Sequence, residues 1–226
     1  MLVAGEKKRT ARALISKSPY DGRVIGEVFE ADAALLESAL ERAVAGKAAV
    51  AALTAYQRYE ILKRAADTLI ARKADWSRLI ALESGKTVRE ATLEVERAFQ
   101  TLTLSAEEAK RIHGETVPFD AAPRGEGKTG FYLRVPVGVV LAITPFNFPL
   151  NLACHKVGPA IAAGNAVILK PSSYTPLTGL KLGELLLESG LPAEGISVLI
   201  GPGETVGERL AADPRIRVIS FTGSPE

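Results

Sequence analysis

The chain opens with an alternating pattern of apolar and polar residues and then changes to a helical one. The stretch ALISKSPYDGRVIGEVFEAD alternates around Tyr20-Asp21-Gly22, which predicts that two strands start the protein as a hairpin. From Asp32 to about Arg111 the apolar residues recur at helical spacing. Gly85 interrupts this spacing and predicts the end of one helix, before Val88 to Ile112 resumes it. We expect an N-terminal hairpin followed by a helical block.

A polar segment separates this helical block from the rest of the chain. Residues Val117 to Gly130 contain prolines, glycines and mixed charges, so they predict an exposed connection. We place a boundary here, with residues 1–127 as the hairpin and helical block and residues 128–226 as a second portion.

After the connection, short β-branched runs alternate with helical stretches. The order is GVVLAIT, a helix from Leu150 to Ala163, AVILK, a helix from Leu177 to Ser189, ISVLI, a helix near Thr205 to Ala212, and RVISF. This rhythm predicts parallel strands joined by crossover helices and buried on both faces. The fold class is therefore α/β, with a Rossmann-like parallel sheet after the helical block.

The residues after each strand are polar or rich in glycine. They are Thr144-Pro145-Phe146-Asn147, Lys170-Pro171-Ser172-Ser173, Gly201-Pro202-Gly203 and Thr222-Gly223-Ser224. Ligands of doubly wound sheets bind at the carboxyl ends of the strands. The pattern predicts a nucleotide crevice at this edge.

Charge and composition narrow the class of partner. The 226 residues include 28 basic and 26 acidic ones, for a net charge of +2. Nothing in this balance indicates a surface for nucleic acid or a polybasic patch for membranes. Cys154, the single cysteine, excludes an intrachain disulfide and fits a reducing compartment. The N-terminus has no apolar core of signal length, and no apolar run reaches the roughly 18 residues of a spanning helix. We expect a cytoplasmic protein with a small-molecule partner.

Two segments resemble the cofactor-domain signature of the aldehyde dehydrogenase superfamily. They are PVGVVLAITPFNFPLNLACHKVGPAIAAGNAVILKPSSYTPL and RVISFTGSPE. The resemblance covers essentially the whole chain and is most specific from Val135 to Glu226. It implies NAD or NADP as cofactor and oxidation of an aldehyde to a carboxylic acid through a cysteine thiohemiacetal. Family chains are about twice as long, so the resemblance implies that the catalytic domain is absent and that this chain alone is inactive.

Asn147, in the PFNFP-like motif, is the candidate catalytic residue. The resemblance implies that its side-chain amide donates to the oxyanion of the thiohemiacetal. A rigid turn between Pro145 and Pro149 would hold such a donor in place before charge develops. An asparagine here could equally satisfy backbone groups of the turn. The residues alone leave both interpretations open, and the resemblance favours the donor.

Lys170 and Ser173 are candidate contacts to the adenosine ribose. The resemblance implies that Lys170 donates to the ribose hydroxyls, whereas a lysine ending a strand is by itself often a solvated charge. Many NAD-preferring relatives carry a glutamate at the position of Ser173. A carboxylate would repel a 2′-phosphate and a serine would not. We hypothesise that the site accepts NADP, either alongside NAD or in preference to it.

The FTGS turn, Phe221 to Ser224, resembles the family's replacement for a GxGxxG loop, a motif absent from this chain. Its backbone amides and the Ser224 hydroxyl would meet a pyrophosphate at the start of a following helix, a role compatible with a simple N-cap serine. No metal site is expected. The predicted cofactor-binding residues are Ile143, Thr144, Pro145, Phe146, Lys170, Ser172, Ser173, Gly203, Phe221, Thr222, Gly223 and Ser224.

Cys154 and His155 are neighbours on a predicted helix and point about 100° apart, so the histidine can hardly activate the thiol. We interpret Cys154 as a small buried hydrophobe. The family resemblance implies that His155 lies at the substrate entrance, where it would suit a small polar aldehyde. A surface or packing histidine is equally compatible.

Three interpretations of the whole chain remain. It is part of a dehydrogenase whose cysteine and glutamate lie beyond Glu226, a free-standing nucleotide-binding module, or a structural protein that kept the fold. The resemblance also implies that the full-length protein is a homodimer or homotetramer, paired through a segment like GKTGFYLRVPV.

Overall fold

A computed structural model describes residues 1–224 of the chain. The strands are β1 (Leu2–Val3), β2 (Glu6–Lys7), β3 (Ala13–Lys17), β4 (Val24–Phe29), β5 (Glu115–Val117), β6 (Gly130–Tyr132), β7 (Val139–Ile143), β8 (Ala166–Lys170), β9 (Ile196–Val198) and β10 (Ile216–Phe221).

The helices are α1 (Ala33–Ala51), α2 (Ala55–Ala71), α3 (Lys73–Ser84), α4 (Val88–Ala109), α5 (Asn151–Ala162), α6 (Pro176–Glu188) and α7 (Glu208–Ala211). A single π-helical turn, Gly203–Gly207, leads into α7. None of the helices within residues 1–224 combines the length and the apolar character needed to cross a bilayer.

One six-stranded sheet forms the centre of the fold, in the order β10-β7-β8-β9-β1-β2. The strands β10, β7, β8 and β9 are parallel, whereas β1 and β2 extend the sheet in the antiparallel sense. The helices α5 and α6 and the turn leading into α7 lie between consecutive parallel strands along the chain. The prediction of an α/β fold with a parallel sheet and crossover helices is confirmed.

Strands β7, β8 and β9 are buried on both faces, because their side chains alternate between two helical layers. The prediction of burial was wrong for β10, which lies at the edge of the sheet and is mostly exposed. Val140 and Ala142 of β7 join a core cluster with residues of α2, α4, α5 and α6. Val139 and Leu141 join a second cluster with residues of α1 and α7. The N-terminal helical block therefore supplies cover to both faces of the sheet.

The prediction that the hairpin starts the protein was wrong, because β1 and β2 precede it. They join through a turn in which Ala4 and Gly5 have φ of 45° and 80°, and Leu2 of β1 pairs with Val198 of β9. Strands of two residues are too short to show an alternating pattern. The predicted hairpin itself forms from β3 and β4, and Gly22 has a φ of 73°.

The helical block follows the predicted spacing. Thr54 and Thr87 start α2 and α4 with reciprocal capping boxes, and Gly85 ends α3 in the left-handed conformation at a φ of 72°. The predicted connection is mostly exposed and lies between β5 and β6, which pair as an antiparallel ribbon. The boundary between residues 127 and 128 stays a prediction.

Glu83, at the end of α3, is a buried carboxylate that meets the start of α6. Its oxygens accept hydrogen bonds from the Leu177 N–H at 2.6 Å, the Thr178 N–H at 2.8 Å and the Thr178 hydroxyl at 2.6 Å. Burial raises the pKa of Glu83 to about 7, while these hydrogen bonds act in the opposite direction. Because α6 has no side-chain cap of its own, Glu83 satisfies its first N–H groups.

Replacing Glu83→Ala should lower the free energy of unfolding by about 3 kcal/mol, because it leaves buried donors without an acceptor. Urea denaturation at pH 8, where the carboxylate is ionised, measures this loss. Glu188→Ala is the matched control on α6: its pair with Arg72 is about half exposed, and the expected loss is below about 1 kcal/mol. Equal losses in the two variants would contradict the capping role of Glu83.

Candidate functional site

The carboxyl ends of the parallel strands surround a cavity of about 460 Å³, a size typical of ligand pockets. All of the predicted cofactor residues except Phe146 line it. They are Ile143, Thr144, Pro145, Lys170, Ser172, Ser173, Gly203, Phe221, Thr222, Gly223 and Ser224. Phe146 lies outside this lining, and its ring packs edge-on against Tyr174, with 5.7 Å between the ring centroids.

A second cavity, of about 690 Å³, continues from the first towards α7. The two share residues from the ends of three strands and from the turn after β9, namely Ile143, Lys170, Pro202, Gly203 and Phe221. Together they form an extended cleft along the sheet edge. Such a shape suits an elongated ligand better than a compact one.

Lys170 is the last residue of β8, and its side chain lies between the two cavities. The residue is only 5% exposed, and its ammonium has one hydrogen-bond acceptor among residues 1–224, the Pro171 carbonyl at a long 3.5 Å. Burial lowers the pKa of this ammonium below its ordinary value. The Thr144 hydroxyl, also buried, has no partner in the described part of the chain. The Lys170 ammonium thus keeps donors free for the hydroxyl groups of a ligand in the cleft.

The backbone approaches the cleft closely on both sides. Gly201 has a φ of 155°, and a Cβ there would lie 2.5 Å from the Val206 side chain. Gly203 starts the π-helical turn and has open space where a side chain would stand. A Cβ on Gly223 would lie 2.5 Å from the Phe221 ring. The predicted helix after Ser224 lies outside the described residues.

Ser172 and Ser173 face the cleft from the loop after β8. The Ser173 hydroxyl donates to the Gly201 carbonyl at 2.9 Å, which ties this loop to the end of β9. The Ser172 hydroxyl accepts the Tyr174 N–H at 3.3 Å. The Ser173 hydroxyl can therefore accept a hydrogen bond from a ligand, because it already donates its proton to Gly201.

Glu30 and Lys156 were not predicted to contribute to this site. Glu30, just after β4, lines the first cavity and pairs with Arg12 Nε at 2.8 Å. Lys156 reaches over from α5, where its ammonium donates to the Thr222 hydroxyl at 2.8 Å. No local signal in the sequence marks Glu30, because the hairpin meets the sheet only in the folded chain.

Asn147 lies in a separate cavity of about 590 Å³, between α4 and the loop before α5. Its Oδ1 accepts the Phe148 N–H at 3.0 Å. Within residues 1–224 its Nδ2 has no acceptor, so the amide is available as a donor. The turn-satisfying and donor roles are compatible, because they use different atoms.

His155 is exposed and lines a third region with Thr101, Leu104, Ile112 and Pro159. Its Nε2 lies 3.5 Å from the Thr101 hydroxyl. This cavity lies between α4 and α5, whereas that of Asn147 is lined by α4 and the loops beside it, and the two share no lining residue. The role of His155 at a substrate entrance stays a prediction.

Cys154, the residue before His155 on α5, is fully buried. Burial, together with the negative charge of Glu94, raises the pKa of this thiol well above its ordinary value. A thiol must ionise to act as a nucleophile, so this sulfur is unsuited to attack an aldehyde. Within residues 1–224, no three His, Cys, Asp or Glu side chains form a group that could hold a metal ion.

Comparison with known proteins identifies a family for residues 6–226, described as the aldehyde dehydrogenase family. The chain is 46% identical over 225 residues to 3-sulfolactaldehyde dehydrogenase of Priestia aryabhattai, and it covers 47% of that relative's length. It is 37% identical over 227 residues to the NADP(+) succinate-semialdehyde dehydrogenase of Escherichia coli, of which it covers 46%. Both matches include 100% of this chain, which thus spans about half the length of these relatives.

Solved structures give the same result. The NADP-dependent glyceraldehyde-3-phosphate dehydrogenase of Bacillus halodurans C-125, complexed with NADP, matches 97% of this chain and 47% of its own, with a TM-score of 0.94 and 33% identity. The NAD-dependent aldehyde dehydrogenase of Sinorhizobium meliloti matches 99% of this chain and 45% of its own, with a TM-score of 0.93 and 33% identity. These neighbours support binding of a nicotinamide dinucleotide.

The burial of Cys154 predicts that its thiol resists alkylation in the folded chain. Iodoacetamide at pH 8 should leave the native protein unmodified over a period in which it fully alkylates the protein in urea. Intact mass measures both. Rapid alkylation of the native chain would contradict the buried, un-ionised state of this sulfur.

Proposed function

Because the chain belongs to the aldehyde dehydrogenase family, we propose that it is the cofactor-binding portion of an enzyme that oxidises an aldehyde to a carboxylic acid. The observation that carries the proposal is the cleft at the strand ends, where nearly all the predicted cofactor residues meet. When bound there, the nicotinamide group of NAD or NADP would accept a hydride from the substrate. The full-length enzyme, meaning this chain with the remaining half of the family length, would supply the nucleophilic cysteine and the general-base glutamate.

Lys170 would hold the adenosine ribose. Its buried ammonium has donors to spare, and hydroxyl oxygens are suitable acceptors for them. The Glu30 carboxylate lies in the same cavity, but Arg12 pairs with it and offsets its charge. The excess positive charge of Lys170 and the absence of a carboxylate at Ser173 support acceptance of NADP.

The pyrophosphate would lie near the FTGS turn and the start of the π-helical turn. Backbone N–H groups at a helix start favour anions, and glycines let the phosphate come close. Lys156 would orient this region through its hydrogen bond to Thr222.

Asn147 would supply one donor to the oxyanion that forms when the aldehyde is attacked. Its Nδ2 has no acceptor among the described residues, and it is exposed in a cavity large enough for a small substrate. An amide held in place in this way needs no reorganisation as charge develops.

The substrate would be a small aldehyde with an acidic group at its far end. The names of both relatives denote such aldehydes, 3-sulfolactaldehyde and succinate semialdehyde. Arg97 lines the cavity of Asn147, and among residues 1–224 its guanidinium has no carboxylate partner. Arg97 and the nearby polar His155 support recognition of a negatively charged substrate.

A second function, nucleotide binding without catalysis, is favoured by the buried state of the only cysteine in the sequence. We therefore expect this chain on its own to bind the cofactor and to leave aldehydes unchanged.

Homodimers or homotetramers of the full-length enzyme would form through the segment around β6, where Phe131, Leu133 and Val135 are exposed. The boundary at residues 127–128 and the cytoplasmic location also stay proposals.

Ser173→Glu should discriminate against NADP. In the full-length enzyme, calorimetric titration should give dissociation constants for NADP and NAD within a factor of about ten of each other. The new carboxylate should raise the NADP constant at least about tenfold more than the NAD constant, through repulsion of the 2′-phosphate. Lys170→Met is the control and should weaken both cofactors. Wild-type binding that favours NAD more than about tenfold would contradict the NADP proposal.

Asn147→Ala should lower kcat of the full-length enzyme by about a hundredfold to a thousandfold with little change in cofactor affinity, because an oxyanion donor acts in the transition state. Steady-state kinetics with succinate semialdehyde, beside a titration with NADP, measures both. Unchanged kcat with normal cofactor binding would exclude the donor role and leave the cofactor site untouched.

A further inference from the structure

A buried ion pair lies directly beneath the loop that carries Asn147. Lys86, between α3 and α4, places its ammonium 2.7 Å from Oε2 of Glu94 on α4. The side chain of Glu94 is fully buried and that of Lys86 is 15% exposed. A pair so shielded from water persists only when both charges have further hydrogen-bond partners.

Those further partners all belong to the Asn147 loop and the helix after it. The Lys86 ammonium also donates to the Asn147 carbonyl at 2.6 Å. The other Glu94 oxygen accepts the N–H groups of Leu150 at 2.9 Å and Asn151 at 3.1 Å. The ion pair therefore forms hydrogen bonds to the loop at Asn147 itself and again at the start of α5.

The ring of Phe148 completes the arrangement. The Lys86 ammonium lies 4.3 Å from its centroid on one side, and the Arg97 guanidinium lies 5.7 Å from it. The same Phe148 donates its backbone N–H to Asn147 Oδ1. That hydrogen bond fixes the orientation of the side-chain amide, whose Nδ2 has no acceptor among residues 1–224.

We propose that Lys86 and Glu94 are positioning residues for Asn147. They hold the chain at the Asn147 carbonyl and again at the start of α5, so that Nδ2 keeps one direction. The inference rests on the proposed donor role of Asn147 for its catalytic consequence, but not for its structural one.

The structural part is tested on the 226-residue chain by ¹⁵N relaxation. In the wild-type protein the backbone amide of Phe148 should have an order parameter of about 0.85, and in Lys86→Met it should fall below about 0.6. Lys86→Arg, which keeps the charge and the donors, should restore it. Lys73→Met is the matched control, because Lys73 at the start of α3 pairs with Glu96 on α4, has a side chain that is 43% exposed, and makes no hydrogen bond to the loop within residues 1–224.

An order parameter that stays near the wild-type value in Lys86→Met would overturn the proposal. So would an equal fall in Lys73→Met, because the loss of order would then reflect general loosening of α4.

The catalytic part is tested by a double-mutant cycle in the full-length enzyme. Lys86→Met should lower kcat by about a hundredfold, as misplacement of a catalytic group does, with KM for the aldehyde changed much less. In an Asn147→Ala background the same substitution should have almost no further effect, because the group that it positions is gone. Lys73→Met should leave kcat unchanged in both backgrounds.

The outcomes separate the two ideas. If Asn147→Ala leaves kcat unchanged, the donor role fails, and the relaxation data alone decide whether Lys86 orders the loop. If Asn147→Ala lowers kcat but Lys86→Met lowers it further by the same factor in both backgrounds, the donor role stands and the positioning role is overturned.

Discussion

The site depends on how two buried carboxylates of the helical block satisfy the first turns of two crossover helices. Each helix leaves its first N–H groups without a partner inside the helix. Neither α5 nor α6 has a side-chain cap of its own. Glu94 of α4 meets the start of α5, and Glu83 of α3 meets the start of α6. Helix α5 directly follows the loop that carries Asn147, and α6 directly follows the loop after Lys170, so the same contacts fix both loops.

This arrangement makes the helical block part of the site. Its helices cover the sheet and also present the Lys86 and Glu94 side chains beneath the Asn147 loop. Burying a carboxylate or an ammonium without a partner would cost free energy of folding. Lys86 and Glu94 therefore each have several partners. The loops at the strand ends can therefore be rich in proline and glycine and open to a ligand. Contacts with the helical block, rather than with the sheet, hold their conformation.

The chemistry divides in a similar way. The strand ends bring together a buried ammonium, backbone N–H groups and glycines, which are groups that bind a dinucleotide. The cavity of Asn147 also holds the guanidinium of Arg97, whereas His155 lines a separate cavity between α4 and α5. The only thiol faces neither region, because Cys154 lies on the inner side of α5. Cofactor binding is the function that the chain's own residues support most completely.

The sequence alone determined the parallel sheet, the helices and the edge where the cofactor site lies, because these follow from local periodicity and from the rule that strand ends converge. All of the predicted cofactor residues except Phe146 line the first cavity, whereas its lining residues Glu30, Tyr174 and Pro202 were not predicted. The tertiary structure decided which distant groups reach the sheet and its loops: Glu30 from the hairpin, Glu83 and Glu94 from the helical block, and β1 beside β9. It also placed Asn147 and Lys170 in separate cavities. The contacts of Glu94 with Leu150 and of Glu83 with Thr178 join residues that are 56 and 95 positions apart. A hydrophobic pattern over a few helical turns carries no information on packing between residues so far apart in the chain.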